Sequence, residues 1–487
     1  MNRACAALAL LCLVGCGPGT RDDVPLAGSG PGGGTGFNGG TTTGGFGGSS
    51  TGGFSGATAG PGGTGVVTGG AQDFGFIRAR VDAGLVPKPE DFVMEGLLAE
   101  HDLPISSAPC NQLLCLDAAS AVTPLADGGT ELWVQLGMTS NLDARAFQRP
   151  ALDLAVVIDR SCSMEGARFD ATRRALSSLA DQLGPDDTLA IVQFDDTAQV
   201  LSARAPVTNR AAVKALFDGL SIGGGTCIDC GLAAGFAELV TAQASAARER
   251  RVILLTDAQP NVGGTRPADF LPMITAHAAE GRHLTAMGVG LDFGQELVSK
   301  LAATRGANFV FLADPARIAS AFTEDFAFLV TPLGFDLTVA FDASPQLALS
   351  GMYGLPGVDP AAGTAESHVA TLFLSRSSSG GAILARLQGA LPAGDPITLP
   401  TSSPPGALIA ELNLGFTPRG GAPVTSSLLA MAPAGPAPAY SQANVQKTIA
   451  LARFLELARE ACRAHYAGDA AEALRSIDEA AMVLATA

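Results

Sequence analysis

Residues 151–331 alternate between short apolar runs and segments with helical spacing, and this alternation restricts the fold more than any other feature of the sequence. Residues 152–158 are almost entirely apolar, as expected of a central strand that is buried on both faces. Apolar residues then recur at helical spacing over 170–183. The same order continues with strands predicted at 188–194, 251–256, 283–289 and 308–312, and helices predicted at 210–220, 228–240, 267–280, 293–303 and 315–328. It predicts a doubly wound, mostly parallel α/β sheet.

The regions that flank this sheet have a different period. Over residues 332–425, apolar residues such as Leu337 and Val339 alternate with polar or small ones. This period of two predicts an antiparallel β-sandwich. The same alternation at 131–138 predicts a strand within an N-terminal flanking region at 72–150. Because the two ends of a doubly wound domain tend to lie close together, we expect this strand to join the later sheet.

Two further segments follow the predicted sandwich. Residues 426–441 are rich in proline and alanine and are predicted to be a linker. Residues 442–487 have helical spacing in two stretches and are predicted to form a helical hairpin. Gly468 would end its first helix and Asp469 would cap the second. The hairpin resembles one unit of a helical repeat.

The first residues have the organisation of an export signal. A short positive region with Arg3 precedes an apolar stretch at 6–14 that is too short to span a bilayer. Residues 1–16 end in Leu-Val-Gly-Cys and resemble the lipobox of bacterial lipoproteins, in which the cysteine, here Cys16, is acylated and becomes the mature N-terminus. The resemblance implies a lipid-anchored envelope protein. Because Gly17 rather than aspartate follows the cysteine, it also implies the outer membrane rather than the inner one.

The segment at 17–71 is rich in glycine, threonine and serine, a composition that cannot bury enough surface to fold, and it is predicted to be a disordered tether. The net charge of the whole chain is −16, with acidic residues spread along its length. A diffuse negative field opposes binding to nucleic acid phosphates. The expected partners are therefore proteins, and a membrane through the lipid, but not nucleic acid.

Three segments of the predicted α/β sheet carry oxygen-bearing side chains. They are DRSCS at 159–163, GGGT at 223–226 and LLTD at 254–257. The first and third close predicted strands, and the second is a glycine-rich turn between a predicted helix and the next. Open parallel sheets bind ligands outside the carboxyl ends of their strands. We therefore expect the three segments to meet at that edge.

The side chains of these segments are two carboxylates and three hydroxyls. An all-oxygen donor set suits Mg²⁺, Mn²⁺ or Ca²⁺ rather than zinc, with Mg²⁺ favoured here. Mg²⁺ keeps several waters, so a coordination position stays open. Two carboxylates only balance the charge of the metal, so an Asp or Glu carboxylate from a partner protein is still attracted. The predicted metal-site residues are Asp159, Ser161, Ser163, Thr226 and Asp257.

These motifs, in this order, resemble the metal-ion-dependent adhesion site of the von Willebrand factor type A (VWA) family, which has a Rossmann-like fold. The resemblance implies that the three hydroxyls bind the metal directly, with the two aspartates close by or bridged by water. It extends to a bacterial envelope subfamily through residues 74–98, 251–263 (RVILLTDAQPNVG) and the later β region. Two positions depart from the family pattern, because Cys162 and Ala258 stand where the family usually has glycine.

The cysteines that remain after the predicted signal fit an exported protein, because an oxidising compartment permits disulfides. Cys110 and Cys115 are close enough in a loop to pair. Cys227 has two possible partners: Cys162, which would staple two of the metal-site loops, or Cys230, across the first turn of a helix. A structural disulfide is favoured over a redox switch.

Motifs for enzymatic catalysis are missing from the sequence. It contains no P-loop and no H-E-x-x-H, and its five histidines form no cluster. Asp195 and Asp196 are interpreted as a solvated strand end rather than a catalytic pair. The sequence therefore favours a metal-dependent adhesion or assembly module. The alternatives are a metal-independent envelope scaffold and a thiol–disulfide redox protein.

Overall fold

The computed structural model describes residues 64–68, 74–290, 300–312, 321–355, 366–375, 382–389 and 406–485, apart from short gaps at 93, 102, 106–108, 126–129, 243–244, 246, 301–302 and 346. The predicted signal, Cys16 and most of the predicted tether lie outside these residues. Within them, no helix is both long enough and apolar enough to cross a membrane.

The strands of the described residues form two sheets. In chain order they are β1 (Thr64–Thr68), β2 (Cys115–Pro124), β3 (Thr130–Ser140), β4 (Ala151–Asp159), β5 (Thr188–Phe194), β6 (Ala198–Pro206), β7 (Arg248–Thr256), β8 (Arg282–Val289), β9 (Asn308–Leu312), β10 (Pro332–Ala343), β11 (Leu347–Tyr353), β12 (Glu366–Leu374), β13 (Ala382–Gly389), β14 (Leu408–Pro418), β15 (Val424–Met431) and β16 (Ala439–Tyr440).

Helices lie between and after these strands. They are α1 (Gly75–Asp82), α2 (Met94–Ala99), α3 (Ala167–Gln182), α4 (Arg210–Asp218), α5 (Ile228–Val240), α6 (Pro267–Ala279), α7 (Phe326–Val330), α8 (Ala443–Tyr466) and α9 (Ala470–Ala485), with short 3₁₀ helices at Pro89–Asp91 and Cys162–Met164.

Strands β4 to β9 form a six-stranded sheet in the order β6-β5-β4-β7-β8-β9. Neighbouring strands are parallel except β5 and β6. The central strand β4 is buried on both faces, because Ile158 packs in one core cluster with Leu176 of α3. Val157 packs in another cluster with Phe236 of α5. The predicted doubly wound α/β fold is confirmed.

The edge strand β6 is an addition to the predicted pattern. It pairs antiparallel with β5, and its residues are partly or fully exposed, so it lacks the apolar run of a buried strand. The helix predicted at 293–303 lies almost wholly outside the described residues. The helix predicted at 315–328 is described only from residue 321, and α7 continues to Val330.

The second sheet is antiparallel and has ten strands. Eight of them follow the order β11-β13-β3-β1-β12-β10-β14-β15, while β2 pairs with β3 and β16 pairs with β2. Strand β3, predicted before the α/β region, does join the later sheet, since Leu136 faces Ile383 of β13. Strand β1 pairs with both β3 and β12 and so connects the two halves. One core cluster receives side chains from both halves, including Leu136, Leu337 and Leu412.

Two predicted boundaries are wrong. The tether predicted at 17–71 includes Thr64–Thr68, which is strand β1, and there Val66 is fully buried. The linker predicted at 426–441 overlaps β15, which pairs along its length with β14. Strand β1 obtains its backbone hydrogen bonds from the distant strands β3 and β12, and β15 from the preceding strand β14, so their own glycine, serine and alanine content did not reveal them.

The C-terminal hairpin has the predicted form. Gly468 has a φ of +81° at the end of α8, and the Asp469 Oδ1 accepts a hydrogen bond of 3.0 Å from the backbone N–H of Glu472 in α9. Leu455 of α8 packs in one core cluster with Ile77 of α1, so the hairpin covers the N-terminal helices. Leu474 of α9 is 41% exposed.

A buried charged cluster joins the two sheets at the end of the parallel strands that is opposite their carboxyl ends. The Glu249 Oε1 accepts a hydrogen bond of 2.9 Å from Arg251 Nη2 and lies 2.6 Å from His283 Nδ1. Arg419, which follows β14, donates from Nε to the other oxygen of Glu249 at 3.2 Å. Burial raises the pKa of Glu249, but the charges of His283, Arg251 and Arg419 outweigh it and lower this pKa to about 2.

Candidate metal centre

The site lies where β4 and β7 end side by side. These strands are parallel neighbours, with Ile158 opposite Leu255. Asp159 is the last residue of β4, and Asp257 directly follows β7. Both aspartates are fully buried. The strand register alone therefore brings the two carboxylates to one edge of the sheet.

The loop after β4 folds back on its own aspartate. The backbone N–H of Ser161 donates to Asp159 Oδ1 at 2.9 Å. The hydroxyls of Ser161 and Ser163 lie 3.0 Å apart, because the 3₁₀ turn at Cys162–Met164 brings these alternate side chains to the same side. The hydroxyls of Ser161 and Ser163 thus lie together in the loop that begins at Asp159.

The second oxygen of Asp159 is held from the neighbouring strand. The Thr256 hydroxyl donates to Asp159 Oδ2 at 2.6 Å and accepts from the backbone N–H of Ala258 at 2.9 Å. Ala258 has a φ of +55°, a conformation that favours glycine. Thr256 was missing from the predicted site, although its position one residue before Asp257 was the available signal.

The third segment places Thr226 beside the other two loops. The Thr226 N–H donates to Asn261 Oδ1 at 2.8 Å, and the Thr226 carbonyl accepts from the N–H of Asn261 at 3.1 Å. The Cys162 N–H donates to the carbonyl of Gly224 at 3.1 Å. The loops that carry Ser161 and Thr226 are therefore in direct contact.

Asp195 and Asp196 directly follow β5 and are partly exposed and exposed, respectively, and both also contact the glycine-rich turn region. Asp195 forms an ion pair with Arg160, and its carbonyl accepts a hydrogen bond of 2.8 Å from the N–H of Cys227. Asp196 Oδ1 accepts from the N–H of Gly225 at 2.9 Å. Both residues hold the glycine-rich turn in place. Their side chains support the site without being candidates for metal ligation.

Two buried oxygens in the site have no hydrogen-bond partner within the described part of the chain, namely Thr226 Oγ1 and Asp257 Oδ1. Both residues are fully buried. Leaving such a group without a partner costs about 1–3 kcal/mol, and a bound cation would supply the missing interaction. The set of hydroxyl and carboxylate oxygens therefore fits a hard divalent cation.

The electrostatics of the carboxylates favour a cation as well. Burial raises the pKa of Asp159 to about 6, against the hydrogen bonds from Ser161 and Thr256 and with help from the charge of Asp257. Burial also raises the pKa of Asp257, although Ser163 and Arg168 oppose that shift. A positive ion between the two carboxylates would offset the cost of burying their charges.

The disulfides settle the alternatives that the sequence left open. Cys227 pairs with Cys230, with Cα atoms 5.3 Å apart, and Cys110 pairs with Cys115. The alternative pairing of Cys162 with Cys227 is wrong, since Cys162 is an exposed free thiol. The first turn of α5 brings its own two cysteines within bonding distance.

Comparison with known proteins identifies the α/β region. Residues 153–324 match the family model of the von Willebrand factor type A domain. An uncharacterised protein of Synechocystis sp. is 28% identical over 187 residues, which are 37% of this chain and 42% of that protein. Human inter-alpha-trypsin inhibitor heavy chain H4 is 31% identical over 170 residues, 32% of this chain and 17% of that protein. The chain thus spans less than half the length of these curated relatives.

Solved structures include two that are similar to part of this chain. A von Willebrand factor type A protein from Catenulispora acidiphila has a TM-score of 0.48 and 19% identity, and the match covers 76% of this chain and 87% of that one. Proximal thread matrix protein 1 from the mussel byssus, described with a zinc-occupied MIDAS motif, has a TM-score of 0.31 and 23% identity over 40% of this chain and 48% of that one.

Proposed function

We propose that the von Willebrand factor type A domain at residues 153–324 of this chain binds partner proteins through a divalent cation. Domains of this family are generally interaction modules, and some bind a divalent cation at an adhesion site of this kind. In this chain the cation would be held by the side chains of Asp159, Ser161, Ser163, Thr226 and Asp257.

The observation that supports the proposal is that Thr226 Oγ1 and Asp257 Oδ1 are two fully buried oxygens without hydrogen-bond partners among the described residues. They come from loops far apart in the sequence and reach the same edge of the sheet. A purely structural polar cluster would be expected to satisfy them internally.

The chemistry of the donors favours Mg²⁺. All five side chains offer oxygen, the ligand that Mg²⁺, Ca²⁺ and Mn²⁺ prefer, whereas zinc favours nitrogen and sulfur. Among the cysteines of these loops, Cys227 and Cys230 are bonded to each other and Cys162 is an exposed thiol. Ca²⁺ and Mn²⁺ are the alternatives for the same site.

The partner is inferred from charge. Asp159 and Asp257 together carry two negative charges, which only balance a divalent cation. An open position on the cation would therefore still attract a carboxylate, so the partner would present an Asp or Glu side chain. The chain would act as an adhesion or assembly module rather than as an enzyme.

The setting of this module is proposed from the sequence alone. The lipobox-like segment that ends at Cys16 would anchor the chain to a bacterial outer membrane, and the glycine-rich stretch after it would separate the folded part from the lipid. Acyl chains give stable anchoring when more than one is attached. Globomycin treatment of expressing cells and mass spectrometry of the mature N-terminus test this point.

The metal and the partner are tested separately. Titration of the purified protein with Mg²⁺ alone, followed by calorimetry, should show saturable binding in the wild type and none in Asp159→Asn. Asp181→Asn is the matched control, since Asp181 lies on the exposed surface of α3. Retained Mg²⁺ binding in Asp159→Asn would contradict the assigned site.

Partner binding is measured by capture from envelope extract, with EDTA and after Mg²⁺ is restored. We expect capture to be lost with EDTA and in Asp159→Asn, and to be kept in Asp181→Asn. Capture that survives EDTA and is also kept in Asp159→Asn would instead support the metal-independent scaffold.

A further inference from the structure

Arg168, in the first turn of α3, reaches into the metal site from the side. Its Nη1 donates to the carbonyl of Ser163 at 2.8 Å and lies 3.3 Å from Asp257 Oδ2. The Asp257 side chain is fully buried, whereas that of Arg168 is 25% exposed. The guanidinium therefore connects two of the metal-site segments.

The end of β8 provides space for this guanidinium. Gly290 follows β8 with a φ of +93°, and a Cβ built on it would lie 2.4 Å from Arg168 Nε. Any larger residue at this position would displace the arginine and would also be strained. The position of Arg168 is thus defined by the backbone on both sides, at Ser163 and at Gly290.

The two oxygens of Asp257 have different surroundings. Oδ2 faces the guanidinium, and Oδ1 has no hydrogen-bond partner among the described residues. A buried carboxylate without a compensating charge is costly, so the arginine stabilises the site when no metal is bound. A cation bound through Oδ1 of the same carboxylate would be repelled by that positive charge.

We propose that Arg168 is a built-in counter-ion, which keeps the three loops assembled without metal and weakens the binding of the divalent cation. This inference rests on the proposed metal site. It concerns the regulation of that site, and it assigns a residue that the metal-binding motif itself does not contain. The consequence is a site that exchanges its metal readily and stays folded while it is empty.

The test is a pair of measurements with opposite signs on Arg168→Gln. Calorimetric titration with Mg²⁺ alone should show about tenfold tighter binding than in the wild type, because the repulsion is removed. Thermal unfolding in EDTA should show a lower Tm, because Asp257 loses its counter-charge. A residue with a purely structural role would lower both the Tm and the metal affinity.

Three variants serve as controls. Arg168→Lys keeps the charge and should bind Mg²⁺ within about threefold of the wild type. Arg174→Gln removes one positive charge from an exposed position of the same helix and should leave both quantities unchanged. Arg168→Met keeps the apolar stem beside Gly290 and replaces Arg168→Gln if that variant does not fold.

The Mg²⁺ affinities and the metal-free Tm values together decide whether Arg168 acts as a counter-ion. Tighter Mg²⁺ binding with a lower metal-free Tm supports the counter-ion. Weaker or unchanged binding in Arg168→Gln and Arg168→Met, with normal binding in the wild type, overturns the counter-ion but leaves the metal site intact. A wild type that binds no Mg²⁺, Ca²⁺ or Mn²⁺ overturns the proposed function and this inference with it.

Discussion

The hydroxyl of Thr256 donates a hydrogen bond of 2.6 Å to Asp159 Oδ2, although the two residues are 97 positions apart in the sequence. They lie at the ends of adjacent parallel strands, so the bond fixes one carboxylate oxygen while the N–H of Ser161 fixes the other. The side chain of Asp159 is therefore oriented before any ligand arrives. This orientation is a property of the sheet register.

Replacing Thr256 by valine should weaken the site and the fold together. Valine leaves both Asp159 Oδ2 and the N–H of Ala258 without their hydrogen bonds to this hydroxyl, so we expect a loss of about 1–3 kcal/mol in the free energy of unfolding. Mg²⁺ affinity should fall as well. Urea unfolding and calorimetry measure the two effects, and Thr256→Ser, which keeps the hydroxyl, is the control. A wild-type free energy of unfolding and a wild-type Mg²⁺ affinity in Thr256→Val would show that this hydrogen bond does not orient Asp159.

Replacing Thr226 by valine should have a different result. Its hydroxyl is buried without a partner among the described residues, so removing it should leave the metal-free protein as stable as the wild type or up to about 1 kcal/mol more stable. The rise in Tm on adding Mg²⁺ should disappear. Thr226→Ser should keep that rise. A destabilised metal-free Thr226→Val protein would indicate that the hydroxyl has an internal partner instead.

Reduction of the Cys227–Cys230 disulfide should affect stability more than metal binding. A loop this short contributes about 2 kcal/mol in the chain-entropy model, so the Tm should fall in the presence of a dithiol. Thr226 stays in place because Asn261 holds its backbone, so Mg²⁺ affinity should change by less than about threefold. The double substitution of both cysteines by serine gives the same comparison without a reductant. Abolished Mg²⁺ binding after reduction would favour a redox-controlled site.

Gly235 in α5 should be intolerant of a methyl group. A Cβ there would lie 2.4 Å from Val157 Cγ2 in the central strand β4, and such overpacking costs about 1–3 kcal/mol. The gain in helix propensity from alanine, about 1 kcal/mol, offsets only part of that cost. Gly219→Ala is the control, because its Cβ would make ordinary contacts at 3.5 Å. Urea midpoints of the two variants give the comparison, and equal midpoints would contradict the close packing.

Acid should weaken the contact between the two sheets, because it protonates Glu249. The pKa of this residue is about 2 in the folded protein against 4.5 for an ordinary glutamate, so the folded state favours the ionised form. The resulting stability, on the order of a few kcal/mol, is present above pH 4.5 and is lost as the pH falls from there towards 2.

Glu249→Gln should remove this part of the pH dependence, and should also lower stability at neutral pH because Arg251 loses its buried partner. Chemical unfolding at a series of pH values measures both quantities. If wild type and variant differ by a constant amount between pH 5 and the acid limit, Glu249 does not carry the dependence.

The sequence determined those parts of the protein in which local residue type decides structure. The apolar runs at β4, β7 and β8 indicated strands buried on both faces, since only such strands need no polar side. Helix α5 was predicted with its observed limits, and Gly468 and Asp469 marked the turn of the hairpin because their backbone requirements are local. The order of the metal-site motifs placed them at one edge of a parallel sheet.

Tertiary structure decided everything that depends on partners distant in the chain. Strand β1 forms because β3 and β12 supply its hydrogen bonds, and its own sequence carries little signal. Thr256 and Arg168 reach the aspartates through strand register and helix placement, over separations of 97 and 89 residues. Side-chain hydrogen bonds and ion pairs act over only a few ångströms, and the sequence specifies such proximity only through the complete fold.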